Sequence, residues 1–553
     1  MNARLLGFAV LLAAASADAQ TQAYQPGIDV VHYEIAIAVP DTGAFIRGDV
    51  VVSLRRSRNV DVLTLDLVDA LKVQSVEVDD RTVAATHSGN RITIPLTGAR
   101  DNPNVRIRYE GVVSDGLIAR KDAKGRWTWF GDNWPNRARQ WLPTVDHPSD
   151  KATVTWHVRT PLGRRVVANG LEVLTHVIAD GKSRQLESVW REARPIATYL
   201  MVIGVGPLES FPLTETVCHR TDEGTCAQQS VWVMPENKAW LPGVFTTAGP
   251  IVSLFEKLVG PFPYEKLAHV QSSTRFGGME NASAIFYDGK LFDTQKMSDG
   301  LIAHETAHQW FGDAVTEREW GHLWLSEGFA TYFAALWTLS SRGDAAYRAE
   351  MAAIKKQILG DKVVAERPVI DTAQTDYLAL LNTNSYQKGG YILYMLHQQM
   401  GDSAFFGGIR SYYAKYRNGN ALSDDLRLEL EQSSGLSLKP FFDQWLRRPG
   451  VAEPAIGWAY DASTGTVSVR VMQQDERCVA MAASIVCDRS KIAAYEIPLT
   501  IAVTDAAGAT TRVTIGVPAD QRGTFPLPGR YASKPRSLAF DPDDRLLARI
   551  IRL

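Results

Sequence analysis

Hydrophobic and polar positions alternate with period two from residue 28 to about 206. Tyr33, Ile35, Ile37 and Val39 stand between smaller or polar residues, and Val105, Ile107 and Tyr109 alternate with Arg106 and Arg108. Such alternation marks half-buried antiparallel strands, so an all-β domain is predicted over residues 20–206. The texture changes over residues 207–450. A few strand-like runs come first, such as Val231-Trp232-Val233, and helical periodicity follows from about Met297. Ser423-Asp424-Asp425 reads as a helix start and Gly435 as its stop, while Pro449-Gly450 breaks the pattern after Trp445 and Leu446. Alternation then returns at Val467, Val469 and Val471, and at Tyr495, Ile497, Leu499, Ile501 and Val503, which predicts a β-sandwich over residues 451–553. The predicted class is multidomain α+β, with no repeat at solenoid periods and no low-complexity stretch.

Length agrees with several domains, because 553 residues exceed what one core usually holds. A chain with 45% hydrophobic and 22% charged residues is of ordinary globular composition, which excludes bulk disorder and fibrous architectures. Lys and Arg number 59 against 61 Asp and Glu, a net charge of −2, so there is no electrostatic footprint for nucleic acid or an anionic membrane.

Two further features concern the compartment. Arg4, an apolar run over residues 5–15 and Ala17-Asp18-Ala19 together read as a secretory signal peptide over residues 1–19, cut after Ala19. The run is shorter than the roughly 20 residues a span needs. No later segment offers a long uncharged apolar run, so a secreted or periplasmic protein without a membrane span is expected. Four cysteines allow three pairings, and their grouping in an oxidising compartment predicts Cys218–Cys226 and Cys478–Cys487. A Cys-ligated metal site would favour shorter gaps.

The chemistry is concentrated in H-E-T-A-H, residues 304–308. Two histidines four residues apart on a helix share one face, so His304 and His308 can reach a single tetrahedral Zn²⁺, and Glu305 beside them can meet a water there. A catalytic zinc needs a third protein ligand and an open position. Glu327 supplies that ligand, with eighteen residues between it and His308, enough to end one helix, turn near Trp320-Gly321 and bring a second helix back. His322 is read as a capping or packing residue. Upstream, Gly277 and Gly278 permit close approach of another backbone, and an edge strand there could pair with an extended peptide. Glu280 would then offer its carboxylate to a free α-ammonium. Downstream, the phenol of Tyr386 could donate a hydrogen bond to a developing oxyanion.

These elements in this order resemble the aminopeptidase N family of zinc metallopeptidases, the membrane alanyl aminopeptidase-like gluzincins, which also includes leukotriene hydrolases. The resemblance rests on G-G-M-E-N at 277–281, H-E-T-A-H with Glu327 beyond it, W-L-S-E-G-F-A at 324–330 and Y-Q-K-G at 386–389. Weaker matches are D-V-V-H-Y at 29–33, A-R-Q-W-L-P-T-V-D-H-P at 138–148 and F-F-D-Q-W-L at 441–446. It implies a saddle-like N-terminal β domain, a thermolysin-like, mainly helical catalytic domain and a C-terminal β-sandwich, without the family's large C-terminal helical domain. It implies one Zn²⁺ per chain on His304, His308 and Glu327, Glu305 as general base and then acid, and Tyr386 on the tetrahedral intermediate. Glu280 would hold the substrate amine within a binding segment formed with Gly277, Gly278, Met279 and Asn281. Family members usually carry a Gln or Glu seven residues before the Arg of A-R; here that position is Asp132. Asp132 or Asn133 could serve as second amine anchor, or Glu280 could act alone. Gly278 replaces the Ala of the usual motif. The expected activity is release of single amino-terminal residues from peptides with a free N-terminus. A thermolysin-type endopeptidase, an epoxide hydrolase on the same site and a zinc-retaining peptide-binding protein are the alternatives.

Overall fold

The computed structural model describes residues 24–180, 183–213, 219–220, 226–473, 477–481, 484–488, 494–519 and 522–553. The segment read as a signal peptide and Cys218 lie outside these residues, as do the side chains of Cys226, Cys478 and Cys487. Cys478 and Cys487 are nonetheless register partners across the antiparallel strands Arg477–Met481 and Ser484–Asp488.

Period-two alternation becomes an eight-stranded sheet in the first part of the chain. At its centre Ile28–Ala38 pairs antiparallel with Phe45–Arg56 and parallel with Lys151–Pro161, placing Ile35 opposite Val50 and Trp156. Tyr33, Ile35 and Ile37 point into the core, as do Val105, Ile107 and Tyr109. The intervening Arg106 and Arg108 face outwards and pair across strands with Asp49 and Glu77 at 2.6 and 2.7 Å. The A-R…D-x-P segment is structural: Arg139 Nε donates to the buried Asp146 carboxylate at 2.9 Å.

The middle of the chain carries a second sheet. Its strands run in the order Glu209–Pro212, Cys226–Val233, Lys266–Ser272, Ala284–Asp288, Gly278–Met279. The two-residue strand Gly278–Met279 is the edge, antiparallel to Ala284–Asp288. Helix Asp299–His308 packs beside its edge strand, helix Trp324–Arg342 packs on that helix, and helix Gly389–Tyr416 packs on the second. Ser298 caps the first, accepting from Leu301 N at 3.2 Å. Helix Ser423–Ser434 begins and ends where its sequence signals stand, with Gly435 left-handed at φ 71°. Its cap differs from the simple reading. Ser423 is spent on His322 and Trp324 (2.8 Å to each), and the Asp425 carboxylate accepts from Leu422 N instead.

Beyond helix Lys439–Leu446 come two small sheets, one containing Pro454–Asp461 and Thr466–Gln473, the other Ile497–Thr504 and Thr510–Val517. Val467, Val469, Ile497, Leu499 and Ile501 are buried in the hydrophobic core. Gln444 binds Glu496 through both backbone groups, at 2.7 and 3.0 Å, and docks this unit on the helices.

The N-terminal sheets are fastened to the helical part by buried polar contacts. Lys151 Nζ donates to the carbonyls of Asp313, Ala314 and Gly419 at 2.8, 2.9 and 3.1 Å. Asn169 Nδ2 donates to Ala282 O at 2.8 Å, and Gly170 N donates to Ser283 Oγ at 2.8 Å. Among the described residues no helix is long and apolar enough to cross a membrane.

Candidate active site

His304 and His308 lie one turn apart on helix Asp299–His308, and Glu327 lies in the first turn of helix Trp324–Arg342. A single 3₁₀ turn, Trp320–His322, separates that helix from the preceding strand and lets it return against the first. His304 Nε2 is 3.2 Å from Glu327 Oε2 and 3.2 Å from His308 Nε2, which is 3.3 Å from the same carboxylate oxygen. Three donor atoms thus form a nearly equilateral triangle. Ligands on a tetrahedral Zn²⁺ at ordinary bond lengths stand about 3.3 Å apart, so the residues present fit the ion. The charges agree. Burial opposes ionisation of His308, yet the Glu327, Glu280 and Glu305 carboxylates outweigh it and raise its pKa well above the usual range. Burial works against the Glu327 charge too, but His308 and His304 win and lower it to about 2. An anionic pocket that draws protons onto an imidazole is one that favours a cation.

Supporting contacts orient the ligands. Ser326 Oγ lies 3.0 Å from His308 Nδ1, and Phe311 O is 3.2 Å from the same nitrogen. This second partner directs Nε2 towards the triangle. His322 takes no part. Its Nδ1 bonds Ser423, and burial lowers its pKa to about 4, as befits a packing residue.

Glu305 sits on the opposite side of the helix from solvent, 4% exposed, and burial pushes its carboxyl well above the usual range. The glycine segment behaves differently at its two positions. Around Gly277 no atom lies within 4 Å of where a Cβ would stand, so an incoming backbone has room. A Cβ at Gly278 would fall 2.2 Å from Glu305 Oε1. At Gly278 the Glu305 carboxyl occupies the space that a side chain would take.

Glu280 closes the site on the far side. It is 7% exposed, and burial, helped by the Glu327 charge, raises its pKa to about 7. Ligand atoms of Glu280, Glu305 and His308 all lie within 4.8 Å of one another. Tyr386, in a π-helical turn over Asn384–Lys388, lines the same cavity, and burial together with Glu327 keeps its phenol protonated. The cavity measures about 460 Å³. Its floor is His304, Glu305, His308, Glu327 and Glu280; its walls are Gly277, Gly278, Met279, Trp134, Phe276, Leu301, Leu381 and Tyr386.

Three residues raised by the sequence do not line it. Asn281 is fully buried behind the wall. Asn133 is committed to structure, donating to Met201 O at 2.7 Å and accepting from Trp141 Nε1 at 2.8 Å. Asp132 pairs with Arg137 at 2.9 Å and Arg275 at 3.4 Å, though it stands near enough to contribute to the raised pKa of Glu280. Glu280 is thus the carboxylate that faces the cavity beside the ligands.

Sequence reasoning missed the residue that joins the two halves of the site. Gln309 Nε2 donates to Glu280 O and to Asp313 Oδ2, both at 2.8 Å, while its Oε1 accepts from Ser283 N at 2.8 Å. Ser283 is held left-handed at φ 61°. The signal available was only that Gln309 follows the second histidine.

Comparison with known proteins places this arrangement. The Peptidase M1 N-terminal domain matches residues 30–200 and the Peptidase family M1 domain matches residues 246–445. "Probable aminopeptidase 1" of Sulfurisphaera tokodaii is 26% identical over 404 residues, 69% of this chain and 48% of the relative. Glutamyl aminopeptidase of Homo sapiens is 28% identical over 338 residues, covering 58% of this chain and 34% of that protein. The chain thus spans about half or less of the length of these relatives. The M1 zinc metallopeptidase of Deinococcus radiodurans has the same fold, with a TM-score of 0.66 at 24% identity, covering 77% of this chain and 94% of that one. A mutant of it was solved bound to a Tyr-Ser-Ala substrate, with a TM-score of 0.67 at 23% identity, covering 77% of this chain and 96% of that one.

Proposed function

Because this chain belongs to the peptidase M1 family, we propose that it is a zinc aminopeptidase releasing single residues from the free N-terminus of peptides. One observation carries the reading: the Glu280 carboxylate shares a buried floor with the metal triangle, close enough to Glu305 and His308 that only one residue fits between an anchored amine and the reacting bond.

His304, His308 and Glu327 hold the zinc, which when bound supplies Lewis-acid polarisation of a carbonyl and a more acidic water. Glu280 accepts hydrogen bonds from the substrate ammonium and fixes its position. Glu305 takes a proton from the attacking water and delivers it to the leaving nitrogen as the carbon–nitrogen bond breaks. Its raised pKa suits a group that must hold that proton between the two events. Tyr386 donates its phenolic hydrogen to the oxyanion. Backbone groups of Gly277 and Gly278, at the sheet edge, align the peptide. Trp134, Phe276, Leu301 and Leu381 exclude water and favour an apolar side chain.

Glu280 in the cavity and the buried Asn281 behind it favour an exopeptidase over an endopeptidase, which would need an open path past the amine position. The test is turnover of aminoacyl-p-nitroanilides with free and acetylated amines, with and without a chelator. Cleavage of only the free amine, lost on chelation, is expected; cleavage of the blocked substrate would overturn the assignment.

The same reading takes residues 1–19 as an export signal cut after Ala19, giving a secreted or periplasmic protein with Cys218–Cys226 and Cys478–Cys487 disulfides. The facing register of Cys478 and Cys487 supports the second pairing. It takes residues 20–206, 207–450 and 451–553 as the three folding units. Mass spectrometry of the exported protein under non-reducing conditions reads the cut and both bonds.

A further inference from the structure

We propose that a second cavity, beside the first, receives a carboxylate at the far end of short substrates, namely the C-terminus of peptides about three to five residues long. The inference rests on the aminopeptidase reading and extends it to substrate length and charge.

Direction comes first. With the amine at Glu280, a peptide cannot continue past Asn281 and Ala282, which are fully buried. It must run the other way, along the free edge of Gly278–Met279, past the open Gly277 and then Phe276 and Arg275. The second cavity, about 360 Å³, opens at that end of the sheet and is lined by Arg120, Asp132, Ser273, Thr274, Arg275 and Lys290, with Ile118 and Asp288 completing it. An extended chain advances about 3.3 Å per residue, so the third to fifth residue arrives there.

Charge comes next. Arg275 and Arg137 are balanced by Asp115 and Asp132, two cations against two anions within 2.7 to 3.4 Å. Arg120 and Lys290 are different. Among the described residues neither has a carboxylate within 4.0 Å, although both line this cavity. Asp288 receives the backbone N–H of Lys290 at 3.1 Å and offsets one of the two charges. One positive charge is left over. Ser273 adds a buried hydroxyl without a hydrogen-bond partner, 6% exposed, on the cavity wall. Arg120 and Lys290, with one net positive charge between them, and the idle Ser273 hydroxyl form a carboxylate receptor.

The experiment compares Leu-Ala-Ala as the free acid, Leu-Ala-Ala-amide and Leu-Ala-Asp-amide, with Leu-p-nitroanilide as control. Wild type is expected to favour the acid over the amide by about 10-fold in kcat/KM, mostly through KM. The Arg120→Ala/Lys290→Ala double variant should reduce that ratio to about one while leaving anilide turnover unchanged. Arg120→Glu/Lys290→Glu should invert it. If Leu-Ala-Asp-amide matches the acid, a side-chain carboxylate serves as well as the terminus and the receptor stands. Equal rates for acid and amide in wild type, or an equal loss of both in the double variant, would overturn the proposal. Failure of the anilide itself would instead strike the aminopeptidase reading. Calorimetric titration of acid and amide into the Glu305→Gln protein then reads the receptor without turnover, equal affinities counting against it.

Discussion

The metal triangle and the strand wall that carries Glu280 sit a few ångströms apart and are built in opposite ways. The triangle draws on two helices joined by a short connection, with His304, His308 and Glu327 inside 24 residues of sequence. The wall is a two-residue edge strand whose position depends on distant partners: Gln309 beneath Glu280, and Asn169 holding Ala282 from 113 residues away. A cage of that kind is specified locally, whereas the wall also draws on contacts from the N-terminal sheets. Substitutions should therefore separate metal binding from substrate binding.

The sharpest break is His308→Ala. It removes a corner of the triangle, and zinc content by mass spectrometry and turnover should both fall to background. Glu305→Gln should keep zinc and lose about 10³-fold in kcat, since only the proton carrier is removed. Glu280→Ala acts on the wall alone. KM for free amines should rise about 100-fold, the scale of losing one partner of a buried charge pair, with zinc retained. Ser326→Ala weakens the cage from behind, and competition with a chelator should show zinc affinity down about 10-fold. Gln309→Ala is the mildest and completes the contrast. Stability should drop by about 1–3 kcal/mol and kcat/KM by roughly 10-fold, with zinc affinity unchanged. Equal loss of zinc in Ser326→Ala and Gln309→Ala would erase the distinction between the two regions.

The same contrast explains what could be read from sequence. His304, His308 and Glu327 were legible because helical periodicity converts spacing directly into geometry, and Gly435 because a left-handed stop favours glycine. Strand alternation likewise placed Tyr33 and Ile107 inside. Partnerships across the domain junction have no such ruler. Nothing local distinguishes Asp132, bound by Arg137 and Arg275, from an amine anchor, nor reveals that Asn133 is occupied by Met201 and Trp141. Nor does anything local show that Gly278 makes space for the carboxyl of Glu305, from a helix 27 residues on.

Lys151 carries a consequence for modularity. One ammonium ties off three carbonyls of the helical half, and a truncated protein beginning at that half would expose those acceptors and release the loop that carries Asp313. Asn169 and Gly170 would be lost with it, taking away the donors to Ala282 O and Ser283 Oγ and leaving Ser283 to Gln309 and Lys266. The β sheets at the start of the chain thus help to build the candidate site, and the two halves cannot be exchanged among relatives unless those three residues travel with partners that match them.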